Sequence, residues 1–86
     1  MKVTAITQDQ MIIVDGVVAE MSKIGGYQMT HGEWAVQYDT AIGAGHIEYL
    51  DARPNQVIGE NEFNARYAWL IDEHQRYQDY VKDQSA

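Results

Sequence analysis

The chain has 86 residues, 13 acidic against 6 basic side chains, a net charge of −7 and no cysteine. That length builds a single core, and a chain so short buries only about 60 to 65% of its unfolded surface, which favours docking or self-association as a way to bury more. Absence of cysteine excludes disulfides, thiolate metal sites and thiol nucleophiles. The negative charge disfavours direct contact with nucleic-acid backbones. No stretch approaches the roughly 20 apolar residues of a membrane span, and Met1–Asp9 loses its apolarity too early for a signal peptide. A cytoplasmic site of synthesis, with use there or in a virion, is the expectation.

In chain order, Lys2–Thr7 carries Val3, Thr4 and Ile6 and reads as a strand, with Gln8-Asp9-Gln10 as its exit. Two β-branched runs follow, Met11–Val14 and Val17–Met21, separated by Asp15-Gly16. Those two residues tolerate the positive φ of a type I′ turn, so the segment is a tight hairpin. Ser22–Gly32, with Gly25-Gly26 and His31-Gly32, is a loop crossing to another part of the sheet, with room for an irregular strand around Tyr27–Met29. Glu33–Tyr38 alternates, which places Trp34, Val36 and Tyr38 on the core face and Glu33, Ala35 and Gln37 on the other. Turn chemistry over residues 39–45 and a second alternating run, His46–Leu50 with Ile47 and Tyr49 inward, complete a second hairpin. Pro54 stops pairing, and Val57-Ile58 forms a short edge strand.

From about Asn61 the period changes from 2 to 3.6. Phe63, Tyr67, Leu70, His74, Tyr77 and Val81 recur at alternating spacings of four and three, one stripe of a single helix over residues 61–82. Glu62 with Arg66 and Asp72 with Arg76 are acid-before-base pairs four residues apart. Residues 83–86 should fray. The fold expected is therefore α+β and a single domain: an antiparallel sheet of about four to six strands, built from hairpins over residues 2–58, with one C-terminal amphipathic helix packed on one face. Its core is Ile12, Val14, Trp34, Val36, Ile47, Tyr49, Phe63, Tyr67, Leu70 and Tyr77.

No constellation carries chemistry. His31, His46 and His74 have no metal-ligand spacing, Gly43-Ala44-Gly45 lacks the lysine and following helix of a phosphate loop, and Ser22 and Ser85 sit in no nucleophile elbow. No catalytic residue, metal or cofactor is expected. Trp69 and Tyr80, eleven residues apart on the helix, lie at nearly the same angle beside the main stripe. Their apolar area suits either a broad sheet or a two-fold dimer, and with the edge pair Val57 and Ile58 they are the interface candidates.

Three segments, Met11–Val17, Gly32–Asp39 and Gly45–Asp51 followed by Arg53-Pro54-Asn55, carry a strand pair, a Trp strand and a Gly-x-Ile-Glu strand in that order. Over residues 2–58 this resembles small proteins of the tail or virion modules of tailed bacteriophages and prophages. The resemblance implies a non-enzymatic accessory or structural role, with other phage structural proteins or a second copy as partners, in the virion or the host cytoplasm. The alternative from another class is an acidic phage-encoded inhibitor that docks on a basic surface of a host or defence complex.

Overall fold

A computed structural model describes residues 1–85. It contains six strands, β1 (Lys2–Ile6), β2 (Met11–Val14), β3 (Val17–Glu20), β4 (Glu33–Asp39), β5 (Ala44–Tyr49) and β6 (Gln56–Gly59), then two helices, α1 (Glu60–Arg66) and α2 (Trp69–Ser85). The strands form one antiparallel sheet in the order β3-β2-β1-β4-β5-β6. The α+β architecture expected from the hairpins is the one found, with β6 at an edge as Val57-Ile58 indicated.

The first hairpin follows from local chemistry. Asp15 at φ 50° and Gly16 at φ 82° are both left-handed, the requirement of a type I′ turn. The Asp15 carboxylate also accepts the Lys2 amide N–H at 2.8 Å and ties the turn to β1. Between β3 and β4 the chain makes one 3₁₀ turn, Met21–Ile24, and a loop that carries it past β2 and β1. No strand forms around Tyr27–Met29. Tyr27 is instead anchored by two bonds, its amide to Gln10 Oε1 at 2.7 Å and its hydroxyl to the Met11 carbonyl at 2.8 Å.

Two features depart from the periodic reading. β4 carries a bulge: Glu33 opposes Tyr49 and Ala35 opposes Glu48, so Trp34 is an extra residue with no partner. A bulge changes which side chains face the core. Val36 and Tyr38 stay inward, but the next core-facing position belongs to Glu33, and Trp34 is only half buried. Trp34 is therefore not a core residue; its indole N–H reaches Gln8 Oε1 at 3.1 Å. Tyr49, opposite the bulge, is likewise half buried against the core rather than inside it.

The single helix of residues 61–82 is in fact two. Tyr67 closes α1 with φ −132° and ψ −2°, and α2 starts through short bonds from Leu70 to Tyr67 and from Ile71 to Ala68. The break lets α1 lie on β6 while α2 lies on β1, β2 and β3, so both halves of the sheet are covered. The apolar spacing survives it, since Phe63, Tyr67, Leu70, His74 and Tyr77 are all buried and only Val81 lies outside. α2 extends to Ser85, and Ala86 lies outside the described residues. Phe63 stacks flat on Tyr38 at 4.1 Å between ring centres, which sets α1 on β4. Gly45, opposite Tyr38, permits this approach of strands: a Cβ there would stand 2.0 Å from the Gln37 carbonyl oxygen.

Candidate interaction surfaces

The main core cluster lies between the helices and one face of the sheet, and on the other face Ala35, opposite Ile6, is buried as well. Alternation sends the remaining strand side chains to the opposite face, over which neither helix runs. At one corner of that open face, Ile6 opposes Met11 and Ile13 opposes Val18, an apolar cluster across β1, β2 and β3. Val18 is 44% exposed. The other half of the face is polar: Thr4, Gln37 and His46 line a shallow cleft of about 280 Å³ together with Lys2 and Asp39. His46 Nε2 lies 3.8 Å from Glu48 Oε2 beside it.

The four interface candidates separate. Val57 is 78% exposed on the open face, whereas Ile58 is 1% exposed and belongs to the core. Of the edge pair, then, only Val57 presents a side chain. Trp69 is half buried against the core, with its ring edge to Tyr27 at 6.1 Å. Its indole N–H donates to the Arg66 carbonyl at 2.8 Å, which satisfies a carbonyl freed where α1 ends. Trp69 is accordingly part of the helix break and not surplus area. Tyr80 remains at the surface, tilted against Tyr77 with ring centres 6.1 Å apart. The two aromatics thus sit in different surroundings.

A second cleft, about 250 Å³, opens where the crossing loop meets the two helices, lined among others by Met29, His31, Glu33, Arg66, Tyr67 and Trp69. Its notable residue is Glu33, a carboxylate only 3% exposed. The bulge aims it inward. One oxygen accepts the His31 amide N–H at 2.6 Å, and the other accepts the Tyr67 hydroxyl at 2.8 Å. Burial alone would raise the Glu33 pKa, but the Tyr67 hydroxyl, the backbone donors and the nearby His31 outweigh it and hold the carboxyl below the usual glutamate range. Burial, followed by the Glu33 carboxylate, pushes the Tyr67 phenol well above its ordinary value, so it stays a donor. Pattern reading had put Glu33 on the solvent side; only the bulge reverses it.

The histidines do not converge. His31 lies in the crossing loop, His46 on β5, and His74 on α2 with Nε2 at 2.8 Å from the Val17 carbonyl. Among the described residues no group of three or more metal-ligating side chains is assembled. The sequence-level ion pairs also shift: Arg76 pairs with Glu73 at 2.6 Å rather than Asp72, and Glu62 accepts from Gln56 at 3.2 Å.

Comparisons of the chain with protein-family models, with curated proteins and with solved structures find no match. The functional reading therefore rests on the residues and their geometry.

Proposed function

We propose that the chain is a non-enzymatic protein-binding component of a bacteriophage or prophage, acting in virion or tail assembly. The observation that carries the binding role is the uncovered face of the sheet, with Ile6, Met11, Ile13 and Val18 gathered at one corner. Apolar side chains on an open sheet face bury well against a complementary protein surface, and each one buried contributes of order 1 to 2 kcal/mol. The partner is another structural protein of the same particle that presents apolar side chains to this corner. The phage setting comes from the strand pattern of residues 2–58.

The Glu33 cleft favours a structural role over catalysis. A carboxylate useful as a general acid or base has a pKa raised toward neutrality, and Glu33 is shifted the other way with both oxygens engaged. It ties loop to helix.

The test is mass spectrometry of gradient-purified particles from a lysate of a phage that encodes the chain, for the wild type and for Ile13→Asp. The chain should be present in or on wild-type particles, or on a tail-assembly intermediate, and the variant should be lost from them while still folded by circular dichroism. Recovery only in a soluble complex with host proteins, released steeply by salt, would replace this reading with the inhibitor.

A further inference from the structure

We infer that β6 is a self-pairing edge, through which two copies of the chain join antiparallel across a two-fold axis at Val57. The inference goes beyond the assembly reading and does not depend on it.

The two edges of the sheet are not alike. At β3 the Val17 carbonyl is occupied by His74 Nε2 at 2.8 Å, and the strand ends in Glu20, ion-paired to Lys23 at 2.6 Å. Side-chain cover and charge are the usual devices that keep an edge from pairing. At β6 the sequence is Gln56-Val57-Ile58-Gly59, with no charge, no proline and no bulge, and its outermost apolar side chain, Val57, is 78% exposed. An uncovered edge presents unpaired N–H and C=O groups ready to bond a further strand.

The occupant that fits is a second copy. Directly opposed residues of an antiparallel pair place their side chains on one face, so a two-fold axis must pass at a residue opposed to its own copy. With Val57 at that point, Gln56 opposes Ile58 and Asn55 opposes Gly59 of the second chain. The two Val57 side chains then meet on the open face at cross-strand contact distance, about 5 Å between Cβ atoms. Local charge does not oppose this approach. In a chain of net charge −7, residues 54–59 hold no charge, and Arg53 before them is paired with Asp51 at 2.9 Å. The segments that approach each other are therefore uncharged, and neither copy brings a like charge against the other along the strand. The two sheets continue into one, with all helices on the same side.

Sedimentation equilibrium at about 100 μM, where contacts of micromolar affinity are mostly occupied, tests this on the isolated chain. Wild type should sediment as a dimer. Val57→Glu and Val57→Lys, each placing like charges opposite one another across the axis, should each weaken the dimer at least tenfold while keeping the wild-type circular dichroism spectrum. Mixing the two variants should restore it, because the charges then oppose with opposite sign. Val18→Lys, the equivalent change near the other edge, should leave the dimer intact. A monomeric wild type, a dimer indifferent to both Val57 variants, or a mixture no more associated than its components would overturn the proposal.

Discussion

The two halves of the sheet reach the same architecture by different means. β1, β2 and β3 under α2 are regular: the register is unbroken, the hairpin turn has two residues, and the inward positions Val3, Ala5, Ile12, Val14 and Ala19 are apolar and buried. β4, β5 and β6 under α1 are irregular. They contain a bulge, a glycine required by close approach, and a buried carboxylate that accepts from a tyrosine 34 residues away. In the first half stability is distributed over interchangeable apolar contacts. In the second it is concentrated in a few contacts that have no substitute, so single changes there should be more damaging than burial alone suggests.

The largest expected effect is at Gly45. Gly45→Ala places a methyl group 2.0 Å from the Gln37 carbonyl oxygen and 2.7 Å from the Tyr38 Cα, both backbone atoms that cannot step aside. The loss should be at least about 3 kcal/mol, at the upper end of overpacking costs, read by urea unfolding. The matching change in the regular half, Ala5→Gly, also alters one methyl at a buried β position and should lose only about 1 kcal/mol. Equal losses would erase the contrast.

Next is Leu70→Ala, which removes a fully buried side chain from the start of α2 and should lose about 2 to 5 kcal/mol depending on how far the site collapses. Because α1 and α2 are separated by the break at Tyr67-Ala68, amide exchange should rise first in α2 and β1–β3 and later in β6. Simultaneous exposure everywhere would show that the break does not divide the fold.

Glu33→Gln keeps the shape but removes the charge, and should lose about 1.5 to 3 kcal/mol at pH 7, the range for a hydrogen bond to a charged group. Its pH dependence has a definite sign. The folded-state carboxyl is held below its ordinary range, so its stabilisation is complete above the unfolded glutamate value of about 4.3 and is lost as pH falls through the folded value. The stability gap between wild type and Glu33→Gln should therefore be constant from about pH 6 to 8 and close as pH drops below about 4. A gap at pH 3 as large as at pH 7 would mean that the charge is not what stabilises the loop.

The smallest effect is expected at Asp15. Asp15→Asn retains a residue that tolerates positive φ and an oxygen for the Lys2 amide, which Asp15 accepts at 2.8 Å. Stability should move by less than about 0.5 kcal/mol, whereas Asp15→Val, β-branched in a left-handed position, should lose about 1 to 2 kcal/mol.

Features that depend only on neighbours along the chain can be read from the residues alone. The Asp15-Gly16 turn, the alternation of β1, β2 and β5, the short strand at Val57-Ile58 and the stripe from Phe63 to Tyr77 are local signals, since a turn needs particular φ values and a period needs only spacing. The departures are decided between segments far apart. Trp34 loses its core place because β4 must match β5 opposite it, a constraint absent from β4's own residues. Phe63 and Leu70 keep their stripe across a break that exists because α1 and α2 cover different strands. Glu33 looked like a solvent-facing glutamate because its partner, Tyr67, lies at the other end of the molecule's connectivity. Likewise Ile58 and Val57 are indistinguishable by type, and only pairing with β5 turns one into the core and leaves the other 78% exposed at the edge. Side chains alternate strictly, but which alternate set meets the helices is set by tertiary packing, where apolar burial and polar satisfaction must be met at once.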